Sequence, residues 1–297
     1  MHAAATVLLL REVEGELEVL MMRRGSGLSF MGGMWVFPGG RVDAADASVA
    51  AHGRLLPPGN AAGQDRLQTI EGEPLPVEQE RALRVAACRE TFEEAGVLLA
   101  SDARGHCCTV ERVAGLQPLR GPVAGAAAAF AAMLEREDLY LDAHRLVYWS
   151  HWITPSLEPK RFDTRFFAIA LPSGQEVSAD QSELTHHAWI RPARAPEAIE
   201  RGEIRVVPPT LLTLEDLAES HARHGGLEAM LAAERGRAAP PVMPRIDVAA
   251  GAIRVVMPWD PGYAAAPGEG CGPAGCYPAH LAQRRSCIVV PPSRESR

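Results

Sequence analysis

No stretch of about 18 consecutive apolar residues occurs in this chain, so no membrane-spanning helix is predicted. Cysteine is sparse, six in 297 residues, which is too few for a disulfide scaffold. Tight Cys-x2-Cys knuckles are missing as well. Cys271, Cys276, His280 and Cys287 follow an irregular spacing that fits unpaired cysteines better than structural zinc. Positive charge is in deficit, with 30 Lys and Arg against 37 Asp and Glu and a net charge of −7. That argues against nonspecific nucleic-acid binding, which needs cationic surface to release counterions. Met1-His2-Ala3 lacks the basic region and apolar core of a secretory signal, so a cytoplasmic setting is expected. Internal repeats are absent.

What remains is an ordinary globular composition, 47% hydrophobic and 23% charged. The length allows one large domain with embellishments or two domains. Ala4–Leu10 and Leu17–Met22 read as a hairpin turning at Glu14–Glu16, and Trp35–Phe37 as a short strand. Ala44–Ala51 reads as a short helix and Ala124–Glu137 as an alanine-rich helix, part of a lid. Leu146–Thr154, Arg165–Leu171 and Ala188–Ile190 read as strands, and Ala195–Arg201 and Leu211–His224 as helices separated by Pro208-Pro209. From Gly236 the composition shifts toward Pro, Gly and Ala. The division expected is residues 1–235 as one domain and 236–297 as a C-terminal extension, with Ile253–Met257 as an edge strand.

The most informative stretch is Arg89-Glu90-Thr91-Phe92-Glu93-Glu94-Ala95-Gly96-Val97. Glu90, Glu93 and Glu94 stand at i, i+3 and i+4 and share one side of a helix. Val85, Cys88, Phe92, Ala95 and Leu99 recur at helical spacing on the other side. Pro76 suits the first turn of this helix and Gly96 its end. Three glutamates so close repel one another unless a cation sits among them, and all-oxygen ligation suits Mg2+ or Mn2+. Upstream, Phe37-Pro38-Gly39-Gly40 marks a tight turn where the backbone can approach a ligand.

A Gly-Gly turn followed by Arg-Glu-x-x-Glu-Glu-x-Gly resembles the Nudix box, G-x5-E-x7-R-E-U-x-E-E-x-G-U with U apolar. The second half matches except for Thr91 at a U position. The first half is interrupted by about 35 residues, read as an insertion over residues 42–76. The position eight before Arg89 holds Arg81, so its neighbour Glu80 is the expected box glutamate. The interrupted box is similar to one branch of the family, the acyl-coenzyme A diphosphatases called nucleoside diphosphate-linked moiety X motif 19. The resemblance implies an α/β fold, the Nudix α/β/α sandwich with a mixed sheet and an insertion inside the box. It also implies metal-dependent hydrolysis of a diphosphate in a nucleotide derivative, with coenzyme A or an acyl-coenzyme A first. ADP-ribose or NADH, or binding without turnover, are the alternatives.

On that resemblance Glu90, Glu93 and Glu94 hold the metal, Arg89 orients Glu93 or Glu90, and Gly39 and Gly40 bring backbone N–H groups toward the phosphates or the metal shell. Leu20-Met21-Met22-Arg23-Arg24, Gly33 and Phe37–Gly40 align with a coenzyme A hydrolase motif that has Arg24 as an anion contact. Its second arginine position holds Ser29. Lys160, Arg161 and Arg165 are candidates for the cleft mouth. Among Glu176, Asp180 and Glu183, Glu183 is the candidate general base. A homodimer is expected by family resemblance alone.

Overall fold

The computed structural model describes residues 1–25, 32–48, 53–57, 67–178, 184–249, 252–271 and 277–290. Strands β1 (His2–Val13) and β2 (Glu16–Arg24) form an antiparallel hairpin. Its turn has φ of +53° at Glu14 and +78° at Gly15. Two positive φ values in succession match the twist of the flanking strands. Both strands are nearly continuous in apolar residues because both sheet faces are covered. Ala5, Val7, Leu9, Leu20 and Met22 enter one core, and Leu8, Leu10, Val19 and Met21 the other.

Beyond the hairpin the two strands take separate partners. β2 pairs with β3 (Trp35–Val36) at Met22 and Arg23, while β1 pairs with β4 (Gly39–Arg41) at Ala4–Thr6. The Trp35–Arg41 segment therefore bridges β1 and β2 at the end away from their turn. Asp43 caps a 3-10 turn at Ala44–Ala47, shorter than the helix expected to Ala51, and residues 49–52 lie outside the described ones.

Helix α1 (Val77–Ala95) follows, then β5 (Ala100–Ser101), α2 (Val110–Leu116), α3 (Arg120–Val123), α4 (Ala127–Arg136) and β6 (Tyr140–Leu141). β7 (Val147–Ile153), β8 (Phe162–Ala170) and β9 (Leu184–Ile190) return to the sheet. β8 lies parallel to β1 and β7 antiparallel to β8, so the sheet is mixed. Helices α5 (Ala195–Glu200), α6 (Pro208–His224) and α7 (Leu227–Glu234) follow. α6 starts at Pro208 rather than after the proline pair, because proline suits the first helical position, where no N–H donor is needed. The sequence reading did not separate α7, which begins after the left-handed Gly225 that ends α6.

Layering is α/β/α, as expected. α1 covers one face with Leu83, Val85, Cys88, Phe92 and Ala95. α6 and α7 cover the other with Leu212, Leu217 and Met230. Residues past 236 join this second layer. β10 (Pro241–Val242) extends the sheet beside β7, and β11 (Arg245–Ala249), β12 (Ala252–Val256) and β13 (Cys287–Val290) form a small antiparallel sheet. A short helix, α8 (Ala279–Ala282), contributes Leu281, and Val242, Val255 and Met257 are buried with it.

Candidate active site

α1 is placed by its own ends. Pro76 stands at the N-cap, and Gly96 takes a left-handed φ of +71° while its N–H bonds Phe92 O. Val85, Cys88, Phe92 and Ala95 are buried against the sheet, which turns the glutamates toward the Gly-Gly segment of β4.

Arg89 is 2% exposed and all five of its N–H groups find acceptors. Nε donates to Asp46 Oδ1 and Nη2 to Asp46 Oδ2, both at 2.9 Å, in a bidentate fork. Nη2 also donates to Arg41 O at 3.0 Å. Nη1 donates to Glu90 Oε1 at 2.9 Å and Glu93 Oε1 at 3.0 Å. Burial opposes the charged guanidinium, but the Asp46 hydrogen bonds and the charges of Glu90, Asp46 and Glu93 outweigh it and raise its pKa.

The glycine turn meets the same helix. Gly39 N–H donates to Glu94 Oε2 at 2.8 Å. Gly39 has φ +153°, and a Cβ there would lie 2.7 Å from Thr6 Cα. Gly40 lies directly under Glu90, where a Cβ would stand 2.5 Å from the carboxylate carbon. From the helical segment after β5, Gly125 N–H donates to Glu93 Oε2 at 3.2 Å. The three carboxylates are thus held between Arg89, the glycine turn and Gly125.

Glu90 carries the electrostatic signature of the cluster. Burial raises its pKa, the Glu93 and Asp46 charges add to this, and Arg89 only partly offsets them, so it is pushed up to about 7. Among the described residues no three His, Cys, Asp or Glu side chains close around a common point. Each glutamate instead faces a protein donor. The donor set nonetheless fits a hard divalent cation: three carboxylates on one helix side, close to the Gly39-Gly40 turn.

Asp46 was missed by the sequence reading. Counting back from Arg89 led to Arg81 and Glu80. Arg81 is exposed rather than turned to the apolar side, and Glu80 pairs with Arg84 at 3.1 Å, one helical turn on. Counting forward from Gly40 instead lands on Asp46 at the box-acid spacing. The extra residues therefore fall after that acid. A carboxylate in place of Glu, one methylene shorter, made the signal easy to pass over.

Other candidates are distributed unevenly. Arg24 ends β2 beside Gly33, with its Nε buried and without a hydrogen-bond partner among the described residues, whereas Arg23 is exposed. Arg165 does not line a cleft mouth. It is 1% exposed, with Nη1 at 2.5 Å from Asp163 and Nη2 donating to Gln68 O. The reason is register: Arg165 pairs with Ala5 on the sheet face that α1 covers. His151 meets the same Asp163 carboxylate at 2.6 Å. Arg161 is half-buried, donating to Thr154 O and lying against Met243 Sδ, and Lys160 is exposed near the Phe162 ring. Glu176 is exposed, and Asp180, Glu183 and Ser29 lie outside the described residues, as does Cys276.

A mixed sheet, a covering carboxylate helix and a glycine turn bonded to it define a Nudix domain, and the chain belongs to the Nudix family. More narrowly, residues 2–217 match the family described as the NUDT19 Nudix domain. The chain is 31% identical over 225 residues to the acyl-coenzyme A diphosphatase NUDT19 of Homo sapiens, covering 67% of this chain and 60% of that protein. It is 30% identical over 228 residues to the protein of the same name from Gallus gallus, with the same coverage. The chain thus spans about 60% of the length of these relatives. Among solved structures, a NUDIX hydrolase from Alicyclobacillus acidocaldarius superposes with a TM-score of 0.64 at 27% identity, over 78% of this chain and 96% of that one. Nudix hydrolases generally need a divalent metal ion, which the carboxylate helix fits.

Proposed function

We propose that this chain hydrolyses the diphosphate linkage of a nucleotide derivative with Mg2+ or Mn2+, and that coenzyme A or an acyl-coenzyme A is its substrate. The observation that carries the reaction is the convergence of Glu90, Glu93 and Glu94 with Arg89 and the Gly39-Gly40 turn. Glu90, Glu93 and Glu94 would hold the cation. When bound, it neutralises phosphate charge and acidifies a water molecule. In the reaction the water oxygen bonds to one phosphorus, the bridging P–O bond breaks, and the water proton passes to a base. That base is one of the helix glutamates or Glu183. Arg89 fixes the carboxylates of Glu90 and Glu93, so little reorganisation is needed when charge develops.

The substrate reading rests on the names of the relatives and on Arg24 beside Gly33, whose buried Nε, unpartnered among the described residues, suits a phosphate oxygen. We propose a cytoplasmic homodimer as its setting, on composition and family resemblance, and a domain of residues 1–235 with the extension 236–297 packed on it.

The test is release of phosphate monoester from coenzyme A, acyl-coenzyme A, ADP-ribose, NADH and nucleoside triphosphates, for wild type and Glu93→Gln. Metal-dependent turnover of coenzyme A species, lost in the variant, is the expected result. Turnover confined to ADP-ribose or NADH would discard the coenzyme A assignment and keep the mechanism. Folded protein that turns over none of them would leave a binding module.

A further inference from the structure

The last carbonyls of a helix lack partners within it. At the end of α1 each of five successive carbonyls has one. Phe92 O accepts from Gly96 N–H, Ala95 O from Ser178 N–H at 2.9 Å, and Gly96 O from Gln117 Nε2 at 2.7 Å. The two between them belong to Glu93 and Glu94, and a single side chain takes both. Arg120 Nη2 donates to Glu93 O and to Glu94 O at 2.9 Å, and its Nε to Glu93 O at 3.2 Å. Its Nη1 reaches Ser178 Oγ at 2.7 Å and Gln117 Oε1 at 3.4 Å.

Gly96 records how tightly these groups converge. A Cβ at Gly96 would lie 2.8 Å from Gln117 Oε1, 2.8 Å from Ser178 Oγ and 2.9 Å from Arg120 Nη1. The same segment then reaches Glu93 a second time through Gly125 N–H, on the carboxylate itself. Glu93 is therefore fixed at its carbonyl by Arg120, at Oε1 by Arg89 and at Oε2 by Gly125.

We infer that Arg120 is a positioning residue for the cation site. It locks the backbone of Glu93 and Glu94 and places a positive charge at the C-terminus of α1. A cation there is favourable toward the helix dipole and eases the mutual repulsion of the glutamates. Its links to Gln117 and Ser178 tie the segment after β5 and the loop after β8 to the same two residues. The inference rests on reading the three glutamates as cation ligands.

The experiment is Mn2+ binding to the full, metal-free chain by electron paramagnetic resonance, with thermal unfolding in parallel, for wild type, Arg120→Ala, Arg120→Lys and Glu93→Gln. Arg120→Ala is expected to weaken Mn2+ binding by about tenfold or more, as loss of an outer-shell partner does. Arg120→Lys, which keeps the charge and loses the bridge, should fall between that variant and wild type. In turnover, kcat should drop with KM for the diphosphate unchanged. Folded Arg120→Ala that binds Mn2+ as wild type does would overturn the inference. If Arg120→Ala does not fold, Arg120→Lys and Gln117→Ala carry the comparison, and wild-type affinity in both overturns it. Absence of Mn2+ binding in wild type overturns the underlying cation reading instead.

Discussion

Arg89 and Asp46 stand 43 residues apart in sequence and meet through two parallel hydrogen bonds of 2.9 Å, both side chains almost wholly buried. The acid stands just before the inserted residues and the arginine in the C-terminal half of α1. The pair therefore closes the interrupted box, joining the glycine turn to the helix across the residues that separate them. Asp46 Oδ2 also accepts from Asp43 N–H, so the turn that presents it is held as well.

Asp46→Ala leaves a buried guanidinium with two donors unpaired. Breaking such a pair costs about 3–5 kcal/mol. Denaturant unfolding should show a loss of that size, and turnover should fall as Glu90 and Glu93 lose their fixed partner. Asp46→Glu, which keeps the charge, should recover more of both than Asp46→Asn. Unchanged stability in Asp46→Ala would contradict the role given to the pair.

Gly40→Ala separates activity from stability. The added methyl meets the end of the Glu90 side chain, which can yield only by shifting from its Arg89 hydrogen bond, rather than backbone. Turnover should drop sharply while the melting temperature stays close to wild type. Gly39→Ala differs, because its methyl meets Ala5 and Thr6 backbone at φ +153°. That substitution should cost at least about 1–3 kcal/mol in unfolding free energy.

The pH dependence of metal-free protein follows from Glu90. Its pKa rises from 4.5 to about 7 on folding, with burial the main cause. The folded state then binds more protons than the unfolded state between those values, so this contribution to stability is full below pH 4.5 and is lost as pH rises through 7. Melting temperatures in chelator should carry this downward component between those limits, absent in Glu90→Gln. Mg2+ should stabilise most above pH 7, where Glu90 is ionised. Identical pH profiles for wild type and Glu90→Gln in chelator would refute the assignment.

Removing residues 236–297 should leave insoluble or unfolded protein. Val242, Val255, Met257 and Leu281 share a core with Leu212, Leu217 and Met230, all on one sheet face. Asp216 of α6, 6% exposed, accepts from Arg237 Nη2 at 2.8 Å and from Arg284 Nη2 at 2.7 Å. Without those arginines it is an unpaired carboxylate beside an uncovered apolar layer. A soluble, cooperatively unfolding product of residues 1–235 would count against this.

Local pattern made α1 and the β1–β2 hairpin legible in the sequence. The pattern in each lies within one element: spacing of 3.6 for the helix, a dense apolar run for the strands. The box string Arg89–Gly96 likewise carried its own geometry, since i, i+3 and i+4 share a helix side in any fold. Arg165 and Asp46 show where this stops. A basic residue in a strand reads as a candidate anion contact until register decides which face it occupies, and Arg165 faces the layer that α1 covers. Asp46 reads as one more loop acid until the chain folds it onto Arg89.

The sequence alone thus determined the carboxylate helix, the side its glutamates share and the family to which the chain belongs, because local spacing sets local geometry. Tertiary structure alone decided which acid closes the box, that Arg120 and Gly125 converge on Glu93, and that residues past 236 complete the core. The contacts to Glu93 and between Asp46 and Arg89 join residues 27 to 43 positions apart, and Arg284 meets Asp216 across 68. Their partners are selected by sheet register and layer packing, which no short window of sequence contains.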